Sequence, residues 1–231
     1  YVVIDFLLVS YKNIIVAGKS GAGKQPRIDV IAEELGLKQL STGTIFRDIL
    51  SKDTPLAKKV KYYVENGKWV PDEVTNEVFA EYFKRHDFKG CILDGFPRTA
   101  EQAKFLMKLL RENGSHVDMI IEVHREDEHI VNHVIHRRIC KTCGKTYHMV
   151  DNPPKGKKCS KCDGEVYHRS DDTVEKIKSR LNEFHTKVVP AIEELKKNDI
   201  HFVMVNGFLN PWTPTKVQET VREALKTKID L

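Results

Sequence analysis

Gly18-Lys19-Ser20-Gly21-Ala22-Gly23-Lys24 is the stretch on which the reading of this chain turns. Three glycines within six positions would weaken a helix or a strand, since each loses much conformational freedom there. They suit a backbone that curls tightly and aims several N–H groups at one target. The apolar run Ile14-Ile15-Val16-Ala17 before the loop predicts a buried strand, and Ile28, Ile31, Ala32 and Leu35 after it share one helix face. Strand, glycine loop, lysine and helix together cradle a polyphosphate, with the helix N-terminus adding positive potential. A plain Gly-rich turn would explain the glycines but not the lysine and both flanks. After Lys24 stand Gln25 and Pro26, where a Ser or Thr is usual. Proline is tolerated in a first helical turn, but the N–H it lacks could have served a phosphate. Gln25 cannot replace a magnesium-ligating hydroxyl in the same geometry. The loop is expected to bind phosphate with reduced catalytic strength.

At 231 residues the chain fits one α/β domain with insertions, or two small domains. Its 40% hydrophobic and 31% charged residues are those of a globular protein. The net charge is +5, and the segment from Arg137 to Arg169, with nine Lys or Arg against three Asp or Glu, carries all of that excess. Such concentration fits a small anionic ligand better than a broad nucleic-acid face. No stretch approaches the ~20 apolar residues that span a bilayer. Tyr1 to Val9 is apolar apart from Asp5, but is short and lacks the basic start of a signal peptide. Residues 1–10 read as an extra strand or an extension. A cytoplasmic protein without membrane or nucleic-acid partners is expected.

Along the chain, Ser41-Thr42-Gly43-Thr44 reads as a cap and turn before a short helix. Helices are predicted over about 56–65, 99–112 and 126–138, and another opens at Val70-Pro71-Asp72-Glu73 with Val74, Val78 and Tyr82 along one face. Cys91-Ile92-Leu93, ending in Asp94, and Val117 to Val123 read as strands. Residues 139–168 read as irregular. A long helix starts at Asp172 and bends at Pro190, His201 to Val205 is the last strand, and Thr213 to Lys228 the last helix. This alternation implies a parallel sheet with helices on both faces.

Cys140-x2-Cys143 and Cys159-x2-Cys162 are two knuckles, followed by Gly144 and Gly164. Four thiols at this spacing make a tetrahedral zinc site with no open position, hence a structural one. Two disulfides would need an oxidising compartment, which the nucleotide-type loop and the fifth cysteine, Cys91, argue against.

Together with Ser41-Thr42-Gly43 and Asp94-Gly95-Phe96-Pro97-Arg98, the loop and the four cysteines resemble the adenylate kinases of the long-lid, zinc-bearing type, from about Asn13 to the C-terminus. The resemblance implies a P-loop core (11–40, 71–135 and 173–231), a helical monophosphate-binding arm (41–70), a zinc-ribbon lid (136–172) and an N-terminal extension (1–10). It implies reversible, magnesium-dependent transfer, ATP + AMP = 2 ADP, by a monomer. Gly18, Lys19, Ser20, Gly21, Ala22, Gly23, Lys24 and Gln25 would hold ATP, with Arg137 and Tyr147. Thr42, Arg47, Gly67, Val70, Gly95, Arg98 and Gln102 would hold AMP. Arg137, Arg169 and Arg180 would clamp the moving phosphoryl group, the latter two also reaching AMP. Asp94 would orient magnesium through water, and Asp171 and Asp172 would close the lid by pairing with arginines. The physics agrees, since phosphoryl transfer needs alignment, cations and exclusion of water more than covalent help.

Local alternatives stand beside these roles. Thr99 and Gln102 fit a capping box, Asp171 and Asp172 could cap the long helix, and Arg180 could be a solvated charge. Tyr147 and His148 could serve only the ribbon. His129, His133 and His136 share a helix face and could suggest a second metal site. The sequence departs from the family at Gln25-Pro26 (Gly-Thr is usual), at Thr44 (Asp), at His133 (an arginine against the ATP base) and loosely at Asn206 to Pro211. These departures fall on the ATP and magnesium side. The rival readings are a nucleotide-binding protein with weak or altered donor use, and a ribbon that contacts nucleic acid.

Overall fold

The computed structural model describes residues 11–66, 70–150, 152–168 and 172–229. Strand β1 (Asn13–Ala17) leads through the glycine loop into α1 (Lys24–Leu35), then β2 (Lys38–Ser41), α2 (Thr42–Leu50), α3 (Pro55–Glu65) and α4 (Asp72–Lys84). There follow β3 (Cys91–Asp94), α5 (Ala100–Glu112), β4 (Met119–His124) and α6 (Asp127–Val134). Three short strands come next: β5 (Arg137–Cys140), β6 (Thr146–His148) and β7 (Val166–Tyr167). The chain closes with α7 (Val174–Glu183), α8 (Val189–Lys196), β8 (His201–Asn206) and α9 (Pro214–Ile229).

Five strands form one sheet in the order β2-β3-β1-β4-β8. Strand β3 runs parallel to both neighbours, with Ile14 beside Ile92 and Leu40 beside Leu93. Parallel neighbours cannot be joined by a hairpin, so helices carry the crossovers. This is the parallel, helix-connected sheet that the alternation predicts.

The chain divides into two compact units. The first comprises the residues up to Ala17, Ala32–Ile121 and Thr186–Phe202. Its core is apolar and continuous, with Ile15, Phe79, Phe83, Leu93, Phe96, Leu106 and Leu110 nearly inaccessible. Phe79 and Phe96 stack with centroids 3.9 Å apart. Asn13 is fully buried and ties the strand ends, its Nδ2 donating to the carbonyls of Phe88 and His116, both at 2.9 Å. The second unit comprises Gly18–Ile31, Glu122–His185 and Val203–Leu231. It contains an antiparallel sheet in the order β6-β5-β7 whose core is only Cys140, Tyr147, Cys159 and Val166.

Four readings change. Strand β2 was not foreseen: Lys38 and Gln39 are exposed, so it shows no apolar run. The helix expected to reach Arg138 stops at Val134, because Arg137–Cys140 pairs with β6 and β7. Residues 139–168 are therefore not irregular but a small strand assembly. The long helix begins after Thr173, whose side chain accepts from Lys176 N, so neither Asp172 nor its neighbour is needed as the cap. Its irregularity is a wide π turn over Phe184–Val188, just before Pro190. A proline without an N–H leaves the ladder free to widen there.

Candidate functional site

In the glycine loop, Gly18, Gly21 and Gly23 all have positive φ (+135°, +92° and +96°). A Cβ at Gly18 would lie 2.5 Å from the Val123 carbonyl oxygen, and one at Gly21 would lie 2.3 Å from Val134 Cγ2. Conformation and space therefore both demand glycine. Lys24 Nζ donates to the carbonyls of Gly18 (2.7 Å) and Lys19 (2.9 Å), which holds the amine inside the loop it closes. Lys19 turns the other way. Its Nζ is buried against the Arg125 carbonyl at 3.0 Å and Asp127 at 2.5 Å, so only its backbone faces the cradle. Asp127 also meets His185 Nε2 at 3.0 Å. Ala22 is fully buried and its N–H closes a turn on the Lys19 carbonyl, while Ser20 is half-buried. Gln25 donates to Asp29, one turn along α1.

The four cysteine sulfurs of the ribbon lie within 4.8 Å of one another, with Cys140–Cys162 at 3.5 Å and Cys143–Cys159 at 3.6 Å. Thiolates ~2.3 Å from one tetrahedral ion would stand ~3.8 Å apart. Disulfide sulfurs sit near ~2.05 Å. The set fits zinc. The two knuckles repeat one backbone pattern: Gly144 N donates to Cys140 O, and Asp163 N to Cys159 O. Asp163, not Gly164, holds the left-handed turn in the second knuckle (φ +55°). Gly164 is needed for space, since a Cβ there would lie 2.4 Å from Thr142 Oγ1 and 3.0 Å from Cys140 Sγ. Burial opposes ionisation of Cys159, but the Tyr147 hydroxyl and the Lys161 N–H outweigh it and hold the thiol down at about 6. Burial pushes its neighbour Cys143 up to about 12. A divalent cation removes the repulsion that keeps four crowded thiols from ionising together. Tyr147 belongs to this ribbon: it is buried, and its oxygen accepts from Ser160 N at 2.7 Å.

Beyond the ribbon, Asp172 gathers two arginines. Arg137 grips it through Nε and Nη2 at 3.0 and 2.6 Å, and Arg180 Nη1 stands 3.6 Å from the same carboxylate. The Asp172 side chain is wholly inaccessible. Arg169 and Asp171 lie outside the described residues.

In the first unit, Thr42 and Arg98 meet around Gly95. Thr42 Oγ1 donates to the Asp94 carbonyl at 3.2 Å, and Arg98 Nε donates to the Gly95 carbonyl at 2.9 Å. A Cβ on Gly95 (φ +77°) would lie 3.0 Å from Arg98 Nη2 and 3.3 Å from Thr42 Oγ1. Arg47 is exposed on α2 and bonds Thr44 Oγ1 at 3.0 Å, so the hydroxyl that replaces the usual carboxylate still touches it. Asp94 accepts from Gln39 Nε2 at 3.0 Å. Gln102 is buried and locally engaged: Oε1 accepts from Arg98 N at 2.8 Å and Nε2 donates to Asp72 at 2.8 Å. Val70 is half-buried ahead of α4, and Gly67 lies outside the described residues.

The three histidines expected on one helix face separate, and His136 lies past the end of α6. His129 stacks on Phe208 (4.6 Å between centroids), whereas His133 stacks on His148 (4.2 Å), which also meets His136 edge-on. Burial, then Arg125, His148, Arg137 and His136, push His133 down to about 3. Among the described residues only the four cysteines form a group fit for a metal. Sequence reasoning missed Arg27, Arg125 and the Lys19–Asp127–His185 contacts. Arg27 is a charge beside Ile28 on the buried face of α1, and that oddity was the available signal.

The family model described as Adenylate kinase matches residues 16–200. An adenylate kinase of Symbiobacterium thermophilum is 42% identical over 190 residues, 81% of this chain and 88% of that protein. One of Archaeoglobus fulgidus is 40% identical over the same shares. One of Carboxydothermus hydrogenoformans is 40% identical over 219 residues, 94% of this chain and 99% of that protein. With its glycine loop, its Thr42–Arg98 cluster and its four-cysteine ribbon, the chain belongs to the adenylate kinase family.

Proposed function

We propose that this chain moves the terminal phosphoryl group of magnesium-bound ATP to AMP, giving two ADP, with the residues named here in the roles their surroundings suit. The observation that carries the proposal is the convergence of Arg137 and Arg180 on the buried Asp172 carboxylate. Two guanidiniums gathered on one anion are arranged as a transferring phosphoryl group requires, and arginine can grip phosphate oxygens in pairs. Asp172 holds them in place against their mutual repulsion and exchanges with the incoming charge. The Gly18–Lys24 backbone and Lys24 Nζ hold the donor phosphates. Thr42, Arg47 and Arg98 hold the acceptor phosphate, and Gln102 reads its base. Asp94 orients magnesium through water. Arg169 and Asp171 join the lid contacts, Gly67 and Val70 line the acceptor base pocket, and the zinc keeps the lid ribbon folded. Residues 41–70 and 136–172 act as hinged arms that admit both nucleotides and then exclude water. The enzyme works as a cytoplasmic monomer without nucleic-acid or membrane partners. No helix among the described residues is long and apolar enough to cross a membrane. A coupled assay of ADP formation, with and without Mg²⁺ and across nucleoside monophosphates, tests the reading. ADP should form from ATP plus AMP, and its absence would leave a nucleotide-binding protein.

A further inference from the structure

Arg27 is 1% exposed and lies directly beneath the glycine loop. Its Nη1 donates to the Gly23 carbonyl at 2.9 Å and its Nη2 to the Asn206 carbonyl at 2.6 Å. Its Nε is buried without a hydrogen-bond partner, and no carboxylate pairs with it among the described residues. Burial, and then the nearby Arg125, lower its pKa to about 10. Asn206 ends β8, and Gly207 after it packs tightly on the loop. A Cβ at Gly207 would lie 2.2 Å from the Ala22 carbonyl oxygen, and Gly207 N donates to the His124 carbonyl at 2.6 Å.

A buried cation held by two neutral carbonyls, with one N–H unsatisfied, is costly unless an anion shares its surroundings. In a trans peptide the N–H points opposite to the C=O. By drawing the Gly23 carbonyl down, Arg27 turns the Lys24 N–H up, toward the hollow of the loop. We propose that Arg27 is a positioning residue for the donor's phosphate chain. It fixes the Gly23–Lys24 peptide with its N–H toward the phosphates, and it keeps a positive charge under the loop for a polyphosphate to balance. Pro26 has removed one N–H from this helix start, and Arg27 strengthens what remains.

The inference rests on the donor-loop reading, so the probe is inorganic tripolyphosphate, with AMP as the control, titrated calorimetrically into the whole chain. In Arg27→Met the tripolyphosphate Kd should rise at least about tenfold, as expected when a hydrogen-bonded charge is lost. The AMP Kd should stay within about twofold, because its cluster makes no use of Arg27. Arg27→Lys, which keeps the charge but not the fork, should recover part of the loss. Should the Met variant not fold, Arg27→Lys and the wild-type NMR signals of the Lys24 amide and Arg27 Nε–H decide, and both signals should shift on adding tripolyphosphate. Unchanged tripolyphosphate affinity in a folded variant, or equal losses for both ligands, would overturn the assignment. If the wild type itself fails to bind tripolyphosphate, the donor-loop reading falls first.

Discussion

Arg47 and Arg98, proposed to hold the acceptor, are exposed in the first unit, while Arg27 and the Asp172 side chain, in the second, are buried. The backing differs as well. The Thr42–Arg98 cluster is built on a unit with a large apolar core, in which Phe96 stacks on Phe79 immediately after Gly95. The glycine loop shares its unit with a ribbon whose own core is four residues, two of them cysteines. An apolar core holds its site by burial alone, so exposed side chains on it can still be well placed. A ribbon with so small a core needs a metal for the same purpose. The two sides should therefore respond differently to perturbation.

The largest expected effect is metal removal. Structural zinc contributes roughly 10–16 kcal/mol to the folding of isolated finger peptides. Chelation should lower the melting temperature and release the amides of the 140–167 ribbon to hydrogen exchange, while those of β1 and β3 stay protected. A chelated protein that melts unchanged would remove the distinction. Next is Lys24→Met, which should lose at least ~3 kcal/mol of transition-state stabilisation, as removal of one preorganised donor does. The coupled assay reads it, and near-normal turnover would end the loop assignment. Arg98→Ala should weaken AMP by about 1.5–3 kcal/mol, the scale of a hydrogen bond to a charged group. It should leave ATP affinity unchanged in direct titration. A matching loss for ATP would merge the two sides.

The smallest effect is one of pH. His133 is held down at about 3, by burial first and then by Arg125, His148, Arg137 and His136, against an ordinary value of 6.5. Its folded pKa is depressed, so the unfolded chain takes up a proton first as pH falls. The stability tied to its neutral ring is full above about 6.5 and declines toward 3, by at most ~1.4 kcal/mol per pH unit. His133→Gln should flatten the loss of stability between pH 7 and pH 5 in urea titrations. An identical slope would contradict the origin of the shift.

The glycine loop was legible because its constraints are local: three positive φ angles and two close approaches leave no room for side chains. The metal knuckles were legible for the same reason, since four ligands within 23 positions must turn in a set way. What stayed hidden depends on distant partners. Around Asp172 and Thr173 the local pattern offers several caps, and it is the resemblance, not the spacing, that implies the arginine partners Asp172 has in Arg137 and Arg180. Gln102 satisfies a local capping pattern and a tertiary bond to Asp72 at once. Strands of two to four residues such as β7 and β5 carry no period of their own. Arg27 reads as a surface charge until its carbonyl partners, one of them 179 positions away, are in view.

The central claim is that donor and acceptor nucleotides are held together for direct transfer, the donor by the loop and the acceptor by exposed guanidiniums. Calorimetric titration with two adenosines joined through five phosphates tests it most directly. The account predicts one molecule bound per chain, at least about a thousandfold tighter than ATP or AMP alone because the second site is engaged intramolecularly, and weakened by both Lys24→Met and Arg98→Ala. Binding no tighter than ATP, or indifferent to Arg98→Ala, would contradict it.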